Sequence, residues 1–175
     1  MREQITWVRA WIAGAICVAL AACSPGEQAS KGLAETAAAA APAVAAPDHA
    51  KEANKAVAIA FYNAALNDKD WNAASKLIGS HYTQHNPAAV DGVEGIKAHV
   101  ENLKKNFPLN HGEIKRAFVD GDIVILHIHS KRTPESLGNA IVDMFRIEDG
   151  KVVEHWDVVQ RVPEAKDARN ANTMF

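Results

Sequence analysis

The sequence predicts an α+β domain, with about three helices covering one face of a mainly antiparallel sheet. Two observations predict it. Apolar residues recur at helical spacing in three stretches between Asp48 and Phe107, and beyond Gly112 the period changes to two, with Asp120-Gly121 and Asp149-Gly150 marking hairpins. Helices first and a strand meander afterwards gather the helices on one face. A single helix layer over a strongly twisted sheet makes a concave face with a pocket plausible.

The first helix starts at Asp48, a candidate N-cap, and carries Ala53, Val57, Ala60, Phe61 and Ala64 on one stripe before the turn Asn67-Asp68-Lys69. Asp70 is placed to cap a second, shorter helix with Trp71, Ala74, Leu77 and Ile78 as its apolar side and Gly79 as a left-handed stop. The third helix, over 93–107, aligns Ile96, Val100, Leu103 and Phe107, and Pro108 ends it. Four strands are expected over 113–120, 122–131, 139–148 and 151–161.

Three segments divide the 175 residues: a leader over 1–22, a tether over 23–47 and the folded domain over 48–175. Arg2 and Arg9 precede a short apolar run ending in Leu20-Ala21-Ala22-Cys23, which resembles a bacterial lipoprotein signal. That resemblance implies cleavage before Cys23, lipidation of its sulfur, and an envelope location, with Ser24 favouring the outer membrane facing the periplasm. The tether is rich in alanine and holds Pro25, Pro42 and Pro47, so it has little to bury. With Cys17 discarded and Cys23 lipidated, no disulfide is available and the domain must stand on its apolar core. About 125 residues suffice for one core. The formal net charge is −2, and loss of Arg2, Arg9 and Glu3 makes the mature chain one unit more negative. No clustered basic excess suggests a nucleic-acid partner.

The motifs Tyr82-Thr83-Gln84-His85-Asn86-Pro87, Gly92-x-Glu94-Gly95, Asp143-Met144-Phe145-Arg146, the run from Asp149 to Gln160 and the closing Asn170-Ala171-Asn172-Thr173-Met174-Phe175 resemble the SnoaL-like branch of the nuclear-transport-factor-2-like superfamily. The resemblance implies a cone-shaped fold, a deep pocket on the helix side of the sheet, frequent homodimers, and aldol-type cyclisation of polyketide-like substrates without a cofactor. It also covers isomerases, dehydratases, epoxide hydrolases and members that only bind, so the fold alone leaves the reaction open.

Strand parity groups His155 with Asp157, and His127 with His129. Where Asp143 points depends on the last hairpin. A two-residue Asp149-Gly150 turn pairs 148 with 151 and sets Asp143 opposite Trp156, on Trp156's face. A three-residue loop, 148–150, pairs Asp143 with His155. The longer loop is expected, because it gathers Asp143, His155 and Asp157 among Ile141, Phe145, Val153 and Val159. Carboxylates and an imidazole against apolar walls have the pKa values that proton transfer next to a carbonyl requires. Asp157 is the candidate base, Asp143 and His155 its partners, and His127 or His85 the group that polarises the substrate oxygen. Tyr82, His129 and Phe145 are candidate ligand contacts, with the segment 84–87 at the pocket mouth.

The expected protein is therefore a lipid-anchored, cofactor-free and metal-free acid–base enzyme on a small carbonyl or polyketide-like compound. A binding module for an apolar ligand is the alternative, and a metal-dependent hydrolase using the His127-x-His129 spacing comes third. His49, His99 and His111 read as solvated. Trp71 reads as core, and Val152, Trp156 and Val158 as the face a second subunit would cover.

Overall fold

A computed structural model describes residues 49–175. The leader, the tether, Cys23 and the Asp48 cap lie outside the described residues. Helix α1 (His49–Tyr62) passes into a π-helical turn (Asn63–Asn67), and the chain then reverses at Lys69, whose φ is 55°. Lys69 holds this reversal by donating to the carbonyls of Asn67 at 2.8 Å and Asn110 at 2.7 Å. Asp70 caps the next helix, α2 (Trp71–Ala74), accepting from the Ala73 N–H.

The predicted second helix ends sooner than expected. After a 3₁₀ turn (Ser75–Leu77), Ile78 and Gly79 open a strand, β1 (Ile78–Gln84), and Gly79 does not have a positive φ. Ile78 and Tyr82, both buried, are four apart; that spacing suits one face of a helix and of a strand alike. Only the partner decides, and β1 finds it in the last strand, where it pairs in parallel.

Helix α3 (Gly92–Asn106) is followed by β2 (His111–Asp120), β3 (Ile123–Lys131), β4 (Asn139–Glu148) and β5 (Lys151–Arg161), close to the expected limits. The sheet order is β1-β5-β4-β3-β2, antiparallel except for β1 against β5, and the sheet is curved. Helix α1 lies on the concave face through Ala58, Phe61 and Tyr62. The Phe61 ring meets Phe145 edge-on at 5.6 Å and Tyr82 at 6.2 Å. Phe61 is 1% exposed, so truncation to alanine costs about 3–5 kcal/mol.

The last hairpin departs from the expected loop. Glu148 pairs with Lys151, which leaves a two-residue turn with positive φ at both Asp149 and Gly150, the type I′ geometry. By itself this turn would send Asp143 to Trp156's face. A β-bulge intervenes, because Ile147 pairs with Val152 and Arg146 with Glu154, leaving Val153 as an extra residue. Beyond it Phe145 pairs with His155 and Asp143 with Asp157. The three acid–base groups thus share the concave face, through a bulge rather than a longer loop. The bulge also buries both Val152 and Val153, so Val152 does not belong to the outer face.

Candidate active site

A cavity of about 510 Å³ lies between the helices and the concave face of the sheet. Its floor comes from β4 and β5, whose alternation presents Ile141, Asp143 and Phe145 beside His155, Asp157 and Val159. Asp143 and His155 are 4% and 9% exposed, so both are charge-bearing groups in an apolar wall.

The hydrogen bonds fix the protonation pattern. Gln84 Oε1 accepts from the Asn86 backbone N–H at 2.8 Å, which identifies it as the carbonyl oxygen of that side chain. The same oxygen lies 2.9 Å from His155 Nδ1, so Nδ1 carries the proton. His155 Nε2, 3.4 Å from Asp143 Oδ1, then accepts a proton from a neutral Asp143 or shares one with its carboxylate. Burial raises the Asp143 pKa most; the bond to His155 opposes that rise, and the charge of Asp157 adds to it. Burial therefore favours the protonated form more than it would for a solvated aspartate. Both ring nitrogens of His155 are thus engaged, Nδ1 by Gln84 and Nε2 by Asp143.

Asp157 has different surroundings. The Asn86 side-chain amide donates to Oδ1 at 2.8 Å and to Oδ2 at 2.9 Å, orienting the carboxylate without neutralising it. Asn86 is itself fixed, since its Oδ1 accepts from the Ala88 N–H. The two carboxyl groups thus face each other across β4 and β5 in dissimilar surroundings.

Tyr82 lies under the site, 3% exposed, with its ring stacked on His155 at 6.4 Å. Burial raises the phenol pKa of Tyr82 and also that of Tyr62, and the Asp143 charge reinforces both, so both hydroxyls keep their protons. Phe145 packs on the imidazole at 5.0 Å. Tyr82 and Phe145 both line the cavity.

Three of the proposed residues are elsewhere. His85 faces the other side of the sheet, stacked on Trp156 at 4.5 Å with Nε2 2.7 Å from Glu154, which also pairs with Arg146. The cavity takes Gln84 and Asn86 from this segment instead. His127 and His129 also point outward, because Val124, Leu126 and Ile128 take the inner face and are fully buried. Phe175 stacks on both, at 5.5 and 4.2 Å, and His129 Nε2 meets the Leu137 carbonyl. The pair is remote from His155, so the metal set built on it does not assemble.

His99, read from sequence as solvated, is exposed, and its side chain also borders the cavity from α3. Desolvation and the imidazole of His155 lower its pKa against the pull of Asp157 and Asp143, which keeps it a neutral acceptor. One ligand atom each from Asp143, His155 and Asp157 falls within 4.8 Å of the others. His155 Nε2 already faces Asp143, and both Asp157 oxygens accept from Asn86.

A curved sheet under helices with acid–base groups at the floor of a pocket defines a cone-shaped pocket protein of the nuclear-transport-factor-2-like fold. The chain belongs to the SnoaL-like polyketide cyclase family, whose pattern it matches over residues 56–167. No curated protein is significantly similar in sequence. Among solved structures, TsrD from Streptomyces laurentii is 22% identical over 62% of this chain and 89% of its own, with a TM-score of 0.52. A polyketide cyclase candidate from Bacillus cereus is 22% identical over 61% and 74%, with a TM-score of 0.53. A ketosteroid isomerase candidate from Kribbella flavida is 14% identical over 71% and 93%, with a TM-score of 0.56. At these identities the likeness establishes the fold.

Proposed function

We propose that this protein is a cofactor-independent enzyme of the cyclase or isomerase type, acting by general acid–base catalysis on a carbonyl compound of polyketide-like character. The observation that carries the reading is the pairing of Asp143 with Asp157 across β4 and β5, one buried beside His155 with its pKa raised by burial, the other oriented by the side-chain amide of Asn86. Asp157 removes the proton from the carbon next to the substrate carbonyl. The electron pair moves to the carbonyl oxygen, which takes the proton of Asp143. In a cyclisation the enol carbon then attacks a second carbonyl of the same molecule. Asp143 recovers its proton from the enol oxygen, and Asp157 gives its proton to the new alkoxide. In an isomerisation Asp157 gives its proton to a different carbon while the enol oxygen returns its proton to Asp143, restoring the carbonyl. Apolar walls keep water from the carbanion, and neutral His99 accepts a hydrogen bond from a substrate hydroxyl.

The test is deuterium exchange. Enolisable aryl ketones incubated with the protein in D₂O are expected to take up deuterium next to the carbonyl, and Asp157→Asn is expected to abolish the uptake. Ligands that raise the melting temperature while never exchanging or reacting would overturn catalysis and leave a binding module. Loss of exchange on chelation, with a stoichiometric metal in the sample, would replace the metal-free mechanism.

We further propose that the domain is held at the bacterial envelope by lipid on Cys23, at the outer membrane facing the periplasm, and that it forms a homodimer through the outer face of β5. The leader sequence supports the anchor. Val158, 62% exposed beside Trp156, supports the interface. Cys23→Ser is expected to release the protein from the membrane fraction, and light scattering is expected to give twice the monomer mass. A processed, membrane-bound Cys23→Ser chain or a monomer at micromolar concentration would refute the respective statement.

A further inference from the structure

The cavity has a second polar end, far from its acids. Ser130 on β3 pairs with Asn139 on β4, and both line the cavity. Asn139 precedes Asp143 by four residues on the same strand face, so this rung lies about 13 Å from the Asp143–Asp157 pair at the usual strand rise. Arg132, two residues beyond Ser130, closes the same end, and no other lysine or arginine is among the described lining residues.

The guanidinium is held without using its donors. Its carbon sits 4.1 Å from the centroid of the Phe107 ring, which follows α3. Stacking of this kind fixes the plane of the group and leaves the N–H fork free. Among the described residues no carboxylate pairs with Arg132, whereas Arg146, the other arginine near the sheet centre, is spent on Glu154. A planar, permanently charged fork, exposed at the mouth of the cavity and remote from its acids, is complementary to a carboxylate.

We propose that Arg132, flanked by Ser130 and Asn139, is a carboxylate subsite, and that the substrate carries a carboxylate at the end opposite its reacting carbonyl. The arrangement also sets direction. Asp157 repels an anion from the catalytic end, so an acid-bearing substrate enters with its ketone towards Asp143 and its carboxylate at Arg132. The proposal rests on the reading of this cavity as the substrate site, and it names the substrate class.

The experiment uses 4′-acetylbiphenyl-4-carboxylate and its primary carboxamide, a rigid pair with a ketone at one end and a charged or neutral group at the other. Calorimetric titration of the full chain is expected to give about tenfold tighter binding of the carboxylate, the scale of one charge-assisted hydrogen bond. Arg132→Gln is expected to bring the ratio close to one while leaving carboxamide affinity unchanged, and Arg132→Lys to retain part of it. Equal affinities in the native chain, binding of neither probe, or a preference that survives Arg132→Gln would overturn the subsite. Deuterium uptake by the acetyl methyl, read in the same samples, separates this inference from the catalytic one. Exchange with an affinity ratio of one refutes the subsite alone, and a tenfold ratio without exchange refutes proton abstraction alone.

Discussion

Asp143 stands directly opposite Asp157 across β4 and β5, and it does so because Val153 is an extra residue in β5. Without that bulge the tight Asp149-Gly150 turn would set Asp143 against Trp156, on the far side of the sheet. One inserted residue therefore assembles the acid and the base on the same floor.

Asp157→Asn keeps the shape of the base and removes its proton affinity. Turnover is expected to fall by about 10²–10⁴-fold. Ligand affinity should stay near its native value and the melting temperature should fall only slightly, since the amide oxygen still accepts from Asn86 while the second of the two contacts is lost. An Asp157→Asn variant with native kcat would move the base elsewhere, with His99 the next group to test.

The raised pKa of Asp143 predicts a pH slope in stability. Its protonated form is favoured by folding, so its contribution is complete below the unfolded carboxylate value of about 3.9 and is lost as pH rises through the higher folded value. Asp143→Asn has no such titration. Its melting temperature relative to the native chain is therefore expected to improve as pH rises above about 4 and to level off above the raised folded value, worth about 1.4 kcal/mol for each unit by which folding raises the pKa. Thermal scans across that range check the sign, and a difference that shrinks with pH contradicts the burial argument.

Gln84→Leu removes the acceptor that holds the proton on His155 Nδ1. The imidazole is then free to place its proton on Nε2 and to compete with Asp143 for its partner. A loss of about tenfold in kcat is expected, with little change in KM, together with an altered ¹⁵N signature of the His155 ring. An unchanged tautomer would show that Asp143 alone sets it.

Gly95 lies in the first turn of α3, where a methyl group would land on the carbonyl of Val90. The obstacle is backbone, so it cannot rotate away. Gly95→Ala is expected to cost about 1–3 kcal/mol and to weaken ligand binding, because Val90, Ala88 and Ala89 all line the cavity. Urea unfolding and calorimetry measure the two effects.

Much of this architecture was legible in the chain. Period-two alternation placed β2 to β5 within two residues of their limits, and the 3.6-residue stripe of Ile96, Val100 and Leu103 placed α3. His155 and Asp157 were assigned to one face by parity alone. These properties are local, set by backbone geometry over a few residues, and the sequence determines them.

Tertiary structure decided the rest. β1 is a strand only because β5 offers it an edge; its apolar residues at 78 and 82 fit a helix equally well. Parity could say that His127 and His129 share a face, but not that the face is the outer one; packing of Val124, Leu126 and Ile128 against the helices decided that. Residues 84 to 86 were expected at the pocket mouth, yet pairing with β5 turned His85 out to Trp156 and sent Gln84 and Asn86 in. The bulge at Val153 is likewise a property of two strands together. Periodicity is written in one segment, whereas the direction in which a side chain points into a cavity depends on contacts between segments remote in sequence.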